Sequence, residues 1–409
     1  MAQSVLGSLT LGYRPLWNKA RALAGVQLFV HADDQGIDGQ HLLRTLAEQW
    51  SAESPLLLLS PSAPDLLAGL LTHATAGGPA IVVPAAWRDQ AGVRDALRMA
   101  HQRGVHLLAS GAPTALADAG ADRWAKQRAL RLAPADAANA LQAALKSRQA
   151  VAGGRMLGRA TDSPIGANAL VEGVASRALA EHALDQQGAW AVAGWPTEDV
   201  LHRYAGQPLP PTRRTIVQAM NALDSEQSLD RIEQMFGQEP SLAYRLFLYL
   251  NSAGLGLRNG VSSLRHGFMM LGFRALNTWL AEQLPHASED ANLRPVNATM
   301  VMRGHLMEHL MDAGIEDDLR REVYLCGLFA QLDLVLDEPL RASFARIPLA
   351  DRIVTAAISG TGPYAPSLQV AFALESEDPQ PLRALRQAYE MGTEEINRAL
   401  LRTLSALTR

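Results

Sequence analysis

Residues 240–280 read PSLAYRLFLYLNSAGLGLRNGVSSLRHGFMMLGFRALNTWL. Pro240 suits the first turn of a helix, where its missing N–H is not needed. The apolar run behind it ends at Asn-Ser-Ala-Gly, a turn signal. Asn259-Gly260 predicts a further turn, and Ser262 or Ser263 is placed to cap the helix that follows. The stretch therefore predicts helix, turn, glycine-rich connector and helix again. Downstream, Met302, Leu306 and Leu310 recur at i, i+4 and i+8 on one helix face. The second half of the chain reads as helical almost throughout.

The first half is different. Six of the seven tryptophans precede residue 200, and seven of the eight phenylalanines follow it. Short apolar runs at 9–13, 26–30, 55–59, 80–83, 105–109, 129–132, 156–157 and 190–192 predict strands. Helical patterns separate several of them: HLLRTLAEQW, DLLAGLL, VRDALRMAHQRG, ANALQAALKSR and NALVEGVASRALAEHAL. Strands alternating with helices imply a largely parallel sheet. Eight in this length suit a small (β/α)₈ barrel, although periodicity alone also allows an open sheet. The proline-rich Gly206-Gln-Pro-Leu-Pro-Pro-Thr predicts a boundary near 203–212, giving domains at 1–204 and 205–409.

Bulk composition narrows the function classes. A chain of 409 residues, 48% apolar and 19% charged, is expected to fold as a soluble protein with real cores. A formal charge of −4 offers no global basic field to nucleic acid or an anionic membrane. The single cysteine, Cys326, makes no internal disulfide or thiolate cluster and reads as a buried structural thiol. The first residues lack a basic segment followed by a long apolar core. No apolar run reaches the ~18 residues of a membrane helix. These features together predict a cytoplasmic protein.

The 238–280 segment resembles the signature of the HDOD domain, a relative of the HD metal phosphohydrolases that lacks their ligands. EPSLAYRLFLYLNSA is similar to the family's helix ending in Asn-Ser-Ala, and YLCGLFAQLDLVLDEPL to its Gly-Leu-Leu helix. Where HD enzymes carry His-Asp, Ala330-Gln331 stand here. Alanine ligates nothing and neutral glutamine is a poor metal ligand, so the resemblance implies a binding module without metal. One pattern points elsewhere. His305-Leu-Met-Glu308-His309 matches H-x-x-E-H, whose i and i+4 histidines can share zinc. Its neighbours Met302, Leu306 and Leu310 make an amphipathic core helix the plainer reading, and no third ligand is marked.

The first 200 residues resemble a degenerate EAL domain, the barrel phosphodiesterase of cyclic di-GMP. LGYRPLWNKARALAGVQLFV is similar to that family's opening strands, and LVEGVASRALAEHALDQQGAWAVAGWP to its closing segments. The resemblance implies two divalent metals held by acids at the strand ends. Residue by residue those acids are gone. The signature glutamate falls on Gln27, the Asp-Asp pair near Ala109 and Ser110, and the closing glutamine on Ala193. Lys126 matches the family lysine and Glu172 a family glutamate, which makes these two the candidate ligand-binding residues. Asp33-Asp34 reads as a solvated turn.

The sequence thus predicts a TIM-like α/β barrel of degenerate EAL type followed by an all-α HDOD domain. It predicts a non-catalytic signal-transduction scaffold that works through protein partners, with no cofactor and no metal. Sensing of cyclic di-GMP or another nucleotide without hydrolysis is the alternative, and an active metal-dependent phosphodiesterase is the third reading. The expected partners are signalling proteins, cyclic di-GMP in the alternative reading, and a second copy of the chain in a homodimer; nucleic acid and membrane are not expected.

Overall fold

The computed structural model describes residues 4–34, 36–117, 122–152, 162–252, 261, 263–311 and 317–407. The expected strand at 156–157, the 253–260 connector and Ser262 lie outside the described residues. Two compact units are present. One comprises Met1–Asp199 together with Ala373–Arg409, and the other comprises Val200–Phe372.

The first unit is a closed eight-stranded barrel. Its strands are β1 (Leu9–Trp17), β2 (Leu23–Ala32), β3 (Leu56–Pro61), β4 (Ala80–Pro84), β5 (Leu107–Gly111), β6 (Gln127–Arg131), β7 (Ala169–Glu172) and β8 (Ala191–Ala193). Strands β2 to β8 run parallel, and β1 runs antiparallel to both β2 and β8. Four helices lie between the strands: α1 (Gly39–Gln49), α2 (Pro64–His73), α3 (Ala91–Gln102) and α4 (Pro134–Ala152). A short α5 (Arg177–Glu181) precedes β8. Local chemistry sets these starts. Asp38 accepts from the backbone N–H groups of Gln40 and His41, and Pro64 occupies the first turn of α2. Leu16, Leu58, Val82, Leu108, Ala129, Leu170 and Ala193 fill the barrel interior.

Strand β7 differs from expectation, because its residues were expected in a helix. Asn168 (φ 54°) and Gly173 (φ 80°) sit in the left-handed region on either side of Ala169–Glu172 and isolate it as a strand. The helix begins only after Ser176, whose hydroxyl accepts from the Leu179 N–H.

The second unit contains, after the connecting helix α6 (Thr197–His202), α7 (Arg213–Asp224), α8 (Leu229–Gly237), α9 (Pro240–Leu250), α10 (Leu264–Gln283) and α11 (Leu293–Leu310). It continues with α12 (Asp317–Phe329), α13 (Leu332–Leu336), α14 (Leu340–Phe344), α15 (Asp351–Val354) and most of α16 (Ala365–Leu374). Aromatic packing forms its core. Phe236 meets Phe268 edge-on at 5.1 Å, and Phe247 meets Phe329 at 6.2 Å. Asn251 ends α9 by accepting from the Val261 N–H and donating to the Phe247 and Val261 carbonyls. Ser263 caps α10. Cys326 is buried, and burial with nearby Glu322 pushes its thiol up to about 12.

The observed division after Asp199 lies close to the expected one at residue 204, but the expected second domain of 205–409 is corrected at its end, where 373–409 belong to the barrel unit. Segment 206–212 packs within the helical unit, where the Leu209 N–H donates to the Val335 carbonyl. The last helices, α17 (Gln380–Tyr389) and α18 (Thr393–Ser405), belong to the barrel unit. Ile396, Leu400, Leu401 and Leu404 of α18 are buried, and Asn397 Nδ2 donates to the carbonyls of Leu6 (2.8 Å) and Leu9 (2.7 Å). An amphipathic pattern says that a face is buried, and says nothing about which core receives it.

Glu239, at the start of α9, is a fully buried carboxyl held by neutral donors. Thr212 and Ser241 hydroxyls and Asn297 Nδ2 donate to it. Burial raises its pKa despite these bonds. Its favourable contribution is therefore complete below the ordinary glutamate range and is lost as pH rises through the raised folded value. Glu239→Gln is expected to fold and to flatten this loss on the alkaline side. Glu239→Ala, which strands the Asn297 donor, is expected to cost about 1–3 kcal/mol. Urea unfolding followed by far-UV circular dichroism across pH checks both.

Candidate functional site

The apolar layer inside the barrel gives way to polar residues toward the carboxyl ends of the parallel strands. Side chains alternate along a strand, so the next inward position lies two residues on. From Leu58, Leu108, Ala129 and Leu170 this step reaches Ser60, Ser110, Arg131 and Glu172. On β1, which runs the other way, Leu16 is followed inward by Arg14 and Gly12.

Glu172 is the centre of this layer and is 3% exposed. Gln27 Nε2 donates to its Oε1 at 2.9 Å and to Ser60 Oγ at 3.0 Å. Arg131 Nε donates to its Oε2 at 3.1 Å. Arg131 also lies 3.5 Å from Glu377, and Glu377 lies 3.4 Å from Arg14. The Arg14 guanidinium stands 5.0 Å above the Phe29 ring. Burial opposes the charge on Arg131, but Glu172 and Glu377 outweigh it and raise its pKa. The result is a chain of alternating charges: Arg14, Glu377, Arg131, Glu172.

The two candidate residues from sequence are not brought together. Glu172 is at the carboxyl end of β7, beside Arg131. Lys126 precedes β6, and its exposed side chain lines a groove of about 550 Å³ with Arg123 and Arg128 at the other end of that strand. Some five residues at about 3.3 Å each separate the two levels. The inward cation beside Glu172 is Arg131. Alternation counted from Ala129 would have found it, whereas a motif match chose Lys126. Gln27 lies in the layer itself and Ser110 at its next inward position. Ala109 points outward into a cluster with Leu116, Leu130 and Ala169, and Ala193 lies in the apolar interior.

Asp33 is not the solvated turn residue expected from Asp-Asp-Gln-Gly. Thr10 Oγ1 donates to it at 2.8 Å, Arg383 at 2.6 Å and Arg386 at 3.0 Å. Burial would raise its pKa, but these bonds outweigh burial and lower it. Their stabilisation is present above the unfolded aspartate value and is lost as pH falls through the lower folded one.

In the helical unit, Ala330 is buried at the end of α12 and Gln331 starts α13. His305 Nδ1 pairs with Glu308 Oε2 at 2.8 Å, and its ring lies 5.0 Å from that of Tyr324. His309 sits in the last turn of α11. Among the described residues, no three His, Cys, Asp or Glu side chains come together to hold a metal. The barrel layer does not suit a divalent pair either. Its strands present one carboxylate, Glu172, already bound to a guanidinium and an amide. No described helix is long and apolar enough to cross a membrane.

The family model of the HDOD domain matches residues 207–344. An HDOD domain thus lies within the helical unit. The chain is 22% identical over 164 residues to the uncharacterized protein YuxH of Bacillus subtilis (strain 168), covering 39% of this chain and 40% of YuxH. It is 23% identical over 158 residues to the cyclic di-GMP phosphodiesterase CdgJ of Vibrio cholerae serotype O1, covering 36% of this chain and 34% of CdgJ. The matched part thus spans little more than a third of those relatives. Among solved structures, the MmoQ response regulator of Methylococcus capsulatus str. Bath matches at TM-score 0.34 and 19% identity, covering 48% of this chain and 98% of that one. The Klebsiella pneumoniae BlrP1 manganese/cy-diGMP complex matches at TM-score 0.31 and 11% identity, covering 46% and 55%.

The Glu172–Arg131 pair yields a stability test. Arg131→Ala leaves a buried carboxylate with an amide alone. It should cost about 1 kcal/mol, near the low end for a charged partner because the Arg131 side chain is 60% exposed. Adding Glu172→Gln to Arg131→Ala should recover most of that loss. Tryptophan fluorescence in urea reads this directly, since six of the seven tryptophans lie in the barrel unit.

Proposed function

We propose that this chain is a signal-transduction scaffold whose barrel, of degenerate EAL type, does not hydrolyse phosphodiesters and whose HDOD unit engages protein partners. The HDOD match at 207–344 and a cyclic di-GMP phosphodiesterase among the relatives support a signalling role. The observation that carries the non-catalytic part is the 3.1 Å contact between Arg131 and Glu172. Two-metal hydrolysis needs several hard oxygen ligands around cations ~3.5–4 Å apart. Here the strand-borne carboxylate is engaged by a guanidinium. Such a cation about 4 Å from a divalent ion opposes it by about 2 kcal/mol in water and about 8 at an effective dielectric of 20. A divalent ion on Glu172 would meet that repulsion with no second strand-borne carboxylate to offset it.

Binding of a nucleotide without turnover is the second reading. It is favoured by the convergence of Arg14 and Arg131 on one carboxylate, since guanidinium pairs suit phosphate as well.

Purified full-length protein with cyclic di-GMP and Mn²⁺ or Mg²⁺ is expected to give no hydrolysis above a protein-free control. Affinity capture on the full chain from native lysate is expected to retain a defined partner at near-stoichiometric yield. Metal-dependent turnover that disappears in Glu172→Gln would overturn the non-catalytic reading. Failure of the full chain to retain any specific partner would overturn the scaffold.

A further inference from the structure

We propose that residues 374–391 are a self-bound occupant of the barrel mouth, and that the place held by Glu377 between Arg14 and Arg131 is a site for a phosphate-class anion that competes with it. The proposal deepens the reading of binding without turnover, and rests on it.

The segment reaches the inner face of β1. A Cβ at Gly12 would run into the Ser376 carbonyl oxygen and would lie 3.5 Å from that of Leu374. Glycine at this position lets the backbone of 374–376 approach the strand. The next residue, Glu377, places one carboxylate oxygen toward Arg14 of β1 and the other toward Arg131 of β6. Helix α17 follows, and its Arg383 and Arg386 hold Asp33 beyond the end of β2. One short piece of chain therefore makes both a carboxylate contact inside the mouth and a cationic contact at its rim.

The two contacts differ in strength. At the rim, Arg383 and Arg386 approach Asp33 at 2.6 and 3.0 Å, and the Asp33 side chain is 20% exposed. In the mouth the distances are 3.4 and 3.5 Å, each through one nitrogen, and Glu377 is 43% exposed. Half-exposed pairs of this kind are weak and readily exchanged with solutes. Each guanidinium is a planar fork that pairs bidentately with phosphate, which carries more charge and more acceptor oxygens than a carboxylate. The rim anchors the segment, and Glu377 is the part that yields. Arg131 remains held on its far side by Glu172, so the site keeps its shape when Glu377 leaves.

Hydrogen exchange of the full chain tests this with sodium phosphate as the probe and sodium chloride at matched ionic strength as the control. Phosphate is expected to speed exchange at residues 375–378 by about five-fold or more, and chloride to leave it unchanged. An equal response to both salts is screening and overturns the proposal. So does no response to phosphate. Titration calorimetry with phosphate supplies a second arm. Glu377→Gln removes the resident charge and Gly12→Ala pushes the Ser376 carbonyl aside, while both keep the two arginines. Each is expected to bind phosphate about ten-fold more tightly than the wild type, and affinity unchanged in both overturns the proposal. None of these arms reads turnover. Hydrolysis of cyclic di-GMP would therefore sink the function proposed above and leave these results standing, and the converse also holds.

Discussion

The antiparallel course of β1 is the constraint on which the barrel unit depends. A parallel barrel can close through any of its strands, but here the closing strand runs against both neighbours. Its nine residues pair with β2 along their whole length and with β8 only at Leu16 and Trp17. The opening of that strand is exposed to fraying unless its carbonyls are satisfied. Asn397 does this from α18, donating to the carbonyl of Leu9 and to that of Leu6 just before the strand. The reversal also explains the polarity of the mouth. Arg14 and Gly12 of β1 pair with Gln27 and Phe29 in the middle and carboxyl-terminal part of β2.

Two of the buried carboxyls among the described residues, Glu172 and Glu239, show how different the surroundings of an acid can be. Glu172 faces an amide and a guanidinium at the edge of an apolar barrel. Glu239 faces hydroxyls and an amide inside a helical core and is pushed toward its neutral form. The first sits in a charged chain that leads to solvent. The second is a structural knot between the start of α9, Thr212 before α7, and Asn297 of α11. Of the two, Glu172 is the one with a cationic neighbour, the largely exposed Arg131.

Much of this fold was legible in the residues. The apolar runs such as LLLL and AIVV announce buried parallel strands, and the aromatic-rich helices with Asn251 and Ser263 announce the helical unit. Strand β7 was hidden because four residues cannot show a period, and Leu-Val suits a helix as well as a strand. The site was only half legible. Gln27 and Glu172 could be placed by resemblance. Arg131 needed the register of β6, which depends on tertiary pairing. Glu377 lies 363 residues from Arg14, and no local pattern links positions so far apart. The same limit applies to α18, whose apolar face is plain in the sequence while the core that it joins is not.

Because 373–409 return to the barrel, the helical unit is an insertion in the barrel's chain, joined to it at Asp199–Val200 and again at Phe372–Ala373. An inserted unit constrains its host at two covalent points, unlike a unit strung on one linker. Cutting the chain at the proline-rich segment would not release two modules. It would leave one fragment with an uncovered β1 and another carrying Ile396, Leu400, Leu401 and Leu404 without their core. Two such fragments would be sticky toward each other, and their reassociation in a two-hybrid or pull-down experiment would report the restored intramolecular packing of a single protein rather than recognition between domains.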